Sequence, residues 1–91
     1  MRINRSTQEK LQTILKAQSY RVRYEKGNFQ GGYCVVHEQK TIIINKFHPL
    51  ESKIATLVEI IGDLEIETTL LTEDQIKLVQ RIKKDRVAKE K

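Results

Sequence analysis

A single cysteine, Cys34, is all this chain of 91 residues holds. It excludes an intrachain disulfide and points to a reducing compartment, the cytoplasm. No apolar run approaches the ~18 residues that a membrane span requires. Residues 1–5 are basic, but the sequence beyond them is polar, so no secretory leader is expected. Internal repeats and low-complexity segments are absent too, as is any complete catalytic or ligand-binding motif. What is present is a single domain's worth of residues in periodic apolar blocks, which argues for a folded chain over a disordered one. A chain this short buries roughly 60–65% of the surface its unfolded form exposes, so a partner or a second copy would help it.

The charge is strongly segregated. The net +5 comes from 17 basic and 12 acidic residues. Residues 1–26 carry seven basic and two acidic groups, and residues 76–91 carry the same numbers, so each end is net +5. Residues 51–75 carry one basic and seven acidic groups, net −6. Basic ends around an acidic middle say more about partners than the total does.

The stretch Thr41–Gly62 is the natural organiser. Ile42, Ile43 and Ile44 form an apolar strand whose run of isoleucines suggests burial on both faces. Pro49 suits the first turn of a helix. Leu50, Ile54, Leu57, Val58 and Ile61 then recur at helical spacing as far as Gly62. Before it, Ser6-Thr7-Gln8-Glu9 fits a capping box opening a helix over 7–18 with a narrow stripe of Leu11, Ile14 and Leu15. Tyr20 to Glu25 alternates strictly and reads as a half-buried strand, and Tyr33 to His37 as another. Short connections favour an antiparallel meander. After Gly62, residues 64–71 are ambiguous; the alternation of Leu64-Glu65-Ile66-Glu67 favours a short extended segment or edge strand. Thr72-Glu73-Asp74-Gln75 is a second capping box, opening a helix over 73–88 with Ile76, Leu78, Val79 and Ile82 as its apolar face. The expected architecture is α+β: an N-terminal helix, a three-stranded antiparallel meander, a central amphipathic helix packed on the sheet, a short extended segment and a C-terminal helix.

The segment Thr56-Leu57-Val58-Glu59-Ile60-Ile61-Gly62-Asp63 resembles the active helix of small intracellular zincin metallopeptidases, which reads roughly Thr-Leu-Ala-His-Glu-Leu-Gly-His. The preceding strand and the element order also resemble that fold's minimal core. The resemblance implies a strand–helix core. It does not bring the activity, because Glu59 and Asp63 replace the two histidine ligands and Ile60 replaces the catalytic glutamate. On the wheel Glu59 and Asp63 fall opposite the apolar stripe. The element order also resembles that of small uncharacterised bacterial proteins of this size, which implies no activity.

Other chemistry is thin. Cys34 and His37 are three apart on an expected strand and point to opposite faces, and His48 could join either only through folding. No metal, cofactor or catalytic residue is expected. Gly27, Phe29, Gly31, Gly32 and Tyr33 form a glycine-bounded loop. Phosphate-cradling glycines precede a helix, whereas here a strand follows, so a tight hairpin, bulge or close backbone approach explains these glycines better. The loop is a candidate interaction surface, with Phe29 either an exposed anchor for a partner or folded back onto the core. Arg21, Arg23, Lys77, Arg81 and Lys84 are the candidate nucleic-acid contacts, on the condition that the two ends form one patch. Tyr20 and Tyr24 alternate with the arginines and so fall on the other strand face, which works against bases stacking beside them. No helix-turn-helix, RNP-type or zinc-finger pattern occurs. The expectation is a non-enzymatic interaction module that self-associates as a homodimer or meets another protein. The alternatives are a nucleic-acid-binding accessory protein and a degenerate zincin-like core without peptidase activity.

Overall fold

A computed structural model describes residues 2–26 and 32–89, with side chains to Asp85. Its elements are α1 (Arg5–Ala17), β1 (Arg21–Glu25), β2 (Tyr33–Val36), β3 (Thr41–Asn45), α2 (Leu50–Asp63) and α3 (Glu73–Lys89). Short 3-10 turns at His37–Gln39 and Thr68–Leu70 join β2 to β3 and precede α3. The α+β class and the chain order of helices and strands follow the expectation.

The sheet does not. Its spatial order is β1-β3-β2, with β1 parallel to β3 and β2 antiparallel to it. The meander expected from short connections is therefore corrected to a mixed sheet. The reason lies in the β2–β3 turn. His37–Gln39 makes one 3-10 turn, Lys40 takes the left-handed φ of 48°, and β3 folds back on the side of β2 that faces β1. It thereby fills the space between its two predecessors. The most apolar strand becomes the central one, paired on both edges.

Register fixes which residues share a face. Val22 stands beside Ile42, and Tyr24 beside Ile44; Val35 and Tyr33 complete those rows from the other side. This face meets the helices, and Ile42 and Ile44 are fully buried. Ile43 points the other way and is only half-buried, so the run of three isoleucines is not buried on both faces to the same degree.

The helical layer is held by apolar stripes. Leu11, Ile14 and Leu15 of α1 meet Ile54, Leu57, Ile60 and Ile61 of α2, with Val79 and Ile82 of α3 in the same core. Each such side chain contributes about 1.5–3 kcal/mol by leaving water. Helix ends are satisfied locally. Asn4, not Ser6, caps α1, its side chain accepting the Thr7 N–H at 2.9 Å. The helix starts two residues earlier than expected because asparagine caps as well as serine. At its other end Ser19 is left-handed at φ 67°. Its N–H reaches Lys16 O at 2.9 Å, and the Tyr20 N–H reaches Leu15 O at 3.0 Å, a Schellman closure. Pro49 sits just outside α2 as its N-terminal cap residue, extended at ψ 160°. The expected box at α3 is present: Thr72 Oγ1 accepts the Gln75 N–H at 3.3 Å, and Gln75 Oε1 accepts the Thr72 N–H at 2.9 Å.

Residues 64–67 are extended but join no sheet. Leu64 and Ile66 pack on the core, and the Gln18 side chain binds Glu67 at two points. Lys83 donates from Nζ to Gly62 O at 3.2 Å and also to Leu64 O. It places a cation at the negative end of the α2 dipole, where cations are stabilising.

Candidate interaction surface

The helices cover one face of the sheet only. Among the described residues, the other face carries Arg21, Arg23 and Glu25 from β1, Ile43 and Asn45 from β3, and Cys34 and Val36 from β2, with Thr41 buried at its end. Alternation dictates this: the side chains between those facing the core must face away from it. Arg23, Ile43 and Cys34 form one row across the strands. Arg23 and Glu25 are about half solvated, their side chains 53% and 42% exposed, and they form an ion pair at 3.3 Å.

The covered side of β1 is networked instead. Tyr24 OH accepts from Gln8 Nε2 at 2.9 Å and donates to Gln12 Oε1. Lys53 of α2 lies 5.4 Å from the Tyr24 ring centroid, within cation–π range. Burial lifts the Tyr24 phenol above its ordinary pKa, and the Gln8 hydrogen bond partly opposes that. Tyr24, and Tyr20 just before the strand, thus pack on the helical side. They are not beside the arginines.

The candidate nucleic-acid contacts separate into two groups. Arg21 and Arg23 project from the bare sheet face, whereas Lys77, Arg81 and Lys84 are exposed on α3, which packs on α2 in the helical layer. The two groups therefore stand on different layers of the fold. Lys77 is further engaged with Glu73 at 3.9 Å.

Of the candidate interaction loop, Gly27, Phe29 and Gly31 lie outside the described residues. Gly32 is buried with φ +79°, and a Cβ built there would come within 2.1 Å of the His48 ring. A close approach therefore accounts for this glycine. Tyr33 is half-buried against the core. His48 Nδ1 is buried and lacks a hydrogen-bond partner among the described residues. Cys34 and His37 are both exposed, the first on β2 and the second in the turn after it. Glu59 and Asp63 lie on the exposed side of α2, and Ile60 is in the core. Among the described residues no group of three or more His, Cys, Asp or Glu could hold a metal ion. No helix there is long and apolar enough to cross a membrane.

One residue that sequence reasoning passes over is Phe47, 68% exposed, with Lys46 Nζ 5.2 Å from its ring centroid. The Asn45 side chain closes the turn there by accepting the Phe47 backbone N–H at 2.9 Å. The available signal was a phenylalanine between strand and helix that neither periodicity claims.

The backbone of β1 adds a further feature. Arg21 donates its N–H to Lys40 O at 2.7 Å, and Glu25 O accepts from the Lys46 N–H at 3.1 Å. Odd-numbered residues thus turn their backbone groups toward β3. The N–H and C=O of Val22 and Tyr24 point to the outer edge and have no partner among the described residues. Beside this edge runs a groove of about 430 Å³ lined by Gln12, Lys16, Ser19, Tyr20, Arg21 and Val22. A second open groove, between α1 and α3, is lined by Ser6, Glu9, Lys10, Thr13, Asp74, Gln75 and Leu78.

No family model, curated protein or solved structure matches the chain.

Proposed function

We propose that the chain is a non-enzymatic interaction module that associates with a second copy of itself. The observation that carries this reading is the small sheet itself, which among the described residues has no helix on one face and no strand paired along the outer edge of β1. Exposed backbone of this kind is a template for another strand. Phe47, Ile3 and Leu70 add exposed apolar area, and the segregated charge lets the basic parts of one copy meet the acidic stretch 51–75 of another. The test is light scattering or sedimentation of the purified chain from micromolar to millimolar concentration. A concentration-dependent rise to twice the monomer mass supports the reading; a monomer throughout ends it.

A second reading, nucleic-acid binding, draws on Arg21 and Arg23, exposed side by side on the bare face. It predicts binding to mixed-sequence DNA or RNA at low salt that falls steeply as salt rises. Against it stand the placement of the α3 cations on the helical layer and of the half-buried Tyr20 and Tyr24 on the opposite sheet face. No binding at low salt removes it.

A further inference from the structure

The geometry points to the outer edge of β1 as the self-association surface, with a second copy of β1 added antiparallel across a two-fold axis centred on Tyr24. The inference rests on the self-association reading and names its contact.

The backbone sets the first condition. Only Val22 and Tyr24 within β1 turn their N–H and C=O outward, so an added strand must bond to these residues. An isologous pair repeats one patch on both copies, so the strand must also be complementary to itself read backwards.

The sequence Arg21-Val22-Arg23-Tyr24-Glu25 meets that condition in a register-dependent way. Centring the axis on Val22 sets Arg21 against the partner's Arg23, twice. Centring it on Arg23 sets Glu25 against the partner's Arg21, but brings the two Arg23 side chains together. Centring it on Tyr24 sets each Arg23 against the partner's Glu25, with no pair of like charges opposed.

That last register also extends a contact already present. Arg23 and Glu25 pair within the strand at 3.3 Å, so the dimer would close a ring of two arginines and two glutamates on the bare face. On the helical side, Tyr24 would face the partner's Tyr24, an aromatic cross-strand pair of the kind that stabilises sheets. The groove lined by Gln12, Lys16 and Val22 leaves room beside the edge. The two three-stranded sheets would become one of six strands.

Charge exchange on two solvated side chains tests this without disturbing the core. Arg23→Glu and Glu25→Arg should each weaken dimerisation about tenfold, because each turns two opposed attractive pairs into repulsive ones. The double variant Arg23→Glu with Glu25→Arg should restore wild-type association, since the strand is again complementary about Tyr24. Sedimentation equilibrium measures all four proteins, and far-UV circular dichroism checks that each is folded. Val22→Pro gives a second handle: it removes an outward N–H and leaves the β3 ladder intact, so the dimer should be lost.

Recovery by the double variant establishes the contact. A dimer indifferent to all of these changes overturns the contact while self-association stands. A dimer weakened by the single changes but not recovered by the double one overturns the Tyr24 register. A wild-type chain that stays monomeric to millimolar concentration overturns both this inference and the reading beneath it.

Discussion

The two sides of β1 use the same backbone for opposite ends. Tyr20, Val22 and Tyr24 face the helices and are tied into them by packing, by Gln8 and Gln12, and by the Lys53 ammonium. Arg21, Arg23 and Glu25 face away and keep their charge in water. The first set holds the sheet to its helical layer. The second keeps charged side chains on the face that the helices leave uncovered. A strand of alternating residues can serve both needs because neighbouring side chains never share a face.

Breaking that comparison should give effects of very different size. The largest is expected in β3, where the same contrast recurs. Ile44→Ala removes a fully buried side chain and should cost about 2–5 kcal/mol. Ile43→Ala, on the half-buried opposite face, should cost less than half as much. Urea unfolding of both variants measures the ratio, and equal costs would mean that the bare face is covered in solution.

Next comes Gly32→Ala, at about 1–2 kcal/mol, since a side chain there meets both a left-handed backbone and the His48 ring. Pairing it with His48→Ala separates the two causes: what the second change does not recover is backbone strain.

Tyr24→Phe should cost about 1–2 kcal/mol by leaving the Gln8 and Gln12 amides without their shared partner. Its pH signature sharpens the point. The folded phenol has a pKa raised above the ordinary 10.0, chiefly by burial. The unfolded chain therefore releases this proton first. The stabilisation is complete below that ordinary value and is lost as pH rises through it toward the folded value. Unfolding free energies measured across that alkaline range should fall less steeply for Tyr24→Phe than for the parent.

The smallest effect is a gain. Ser19→Gly should stabilise by about 0.5–1 kcal/mol, because serine occupies the left-handed position that closes α1. An unchanged midpoint would mean that the closure costs serine nothing.

Much of this scaffold was legible in the residues. The stripe of Leu50, Ile54, Leu57 and Ile61 placed α2, and the Thr72–Gln75 pair placed the start of α3, because both signals are local. The sheet order was not legible, since it depends on where β3 lands relative to β1 after a turn whose left-handed member is a lysine. Asn4 was overlooked because a serine box two residues later offered an equally good local solution. The basic residues were easy to see, yet their grouping was not. Alternation could separate Tyr24 from Arg23, but only tertiary packing could separate Arg23 from Arg81. The edge of β1 was hidden for the same reason, because an edge belongs to the sheet and not to the strand.

The clasp between Gln18 and Glu67 carries a consequence for how the fold opens. Its hydrogen bonds, at 3.1 and 2.8 Å, join positions 49 residues apart. Closing so long a loop costs chain entropy that nearer contacts offset. The sheet and α2, which lie between the two segments in the chain, hold them within reach of one another. The clasp thus ties the end of α1 to the far side of the fold, beyond the local bonds that already close that helix. In the finished molecule the Glu67 amide proton becomes a sentinel: its exchange with solvent reports each occasion on which the first helix and the segment after α2 part.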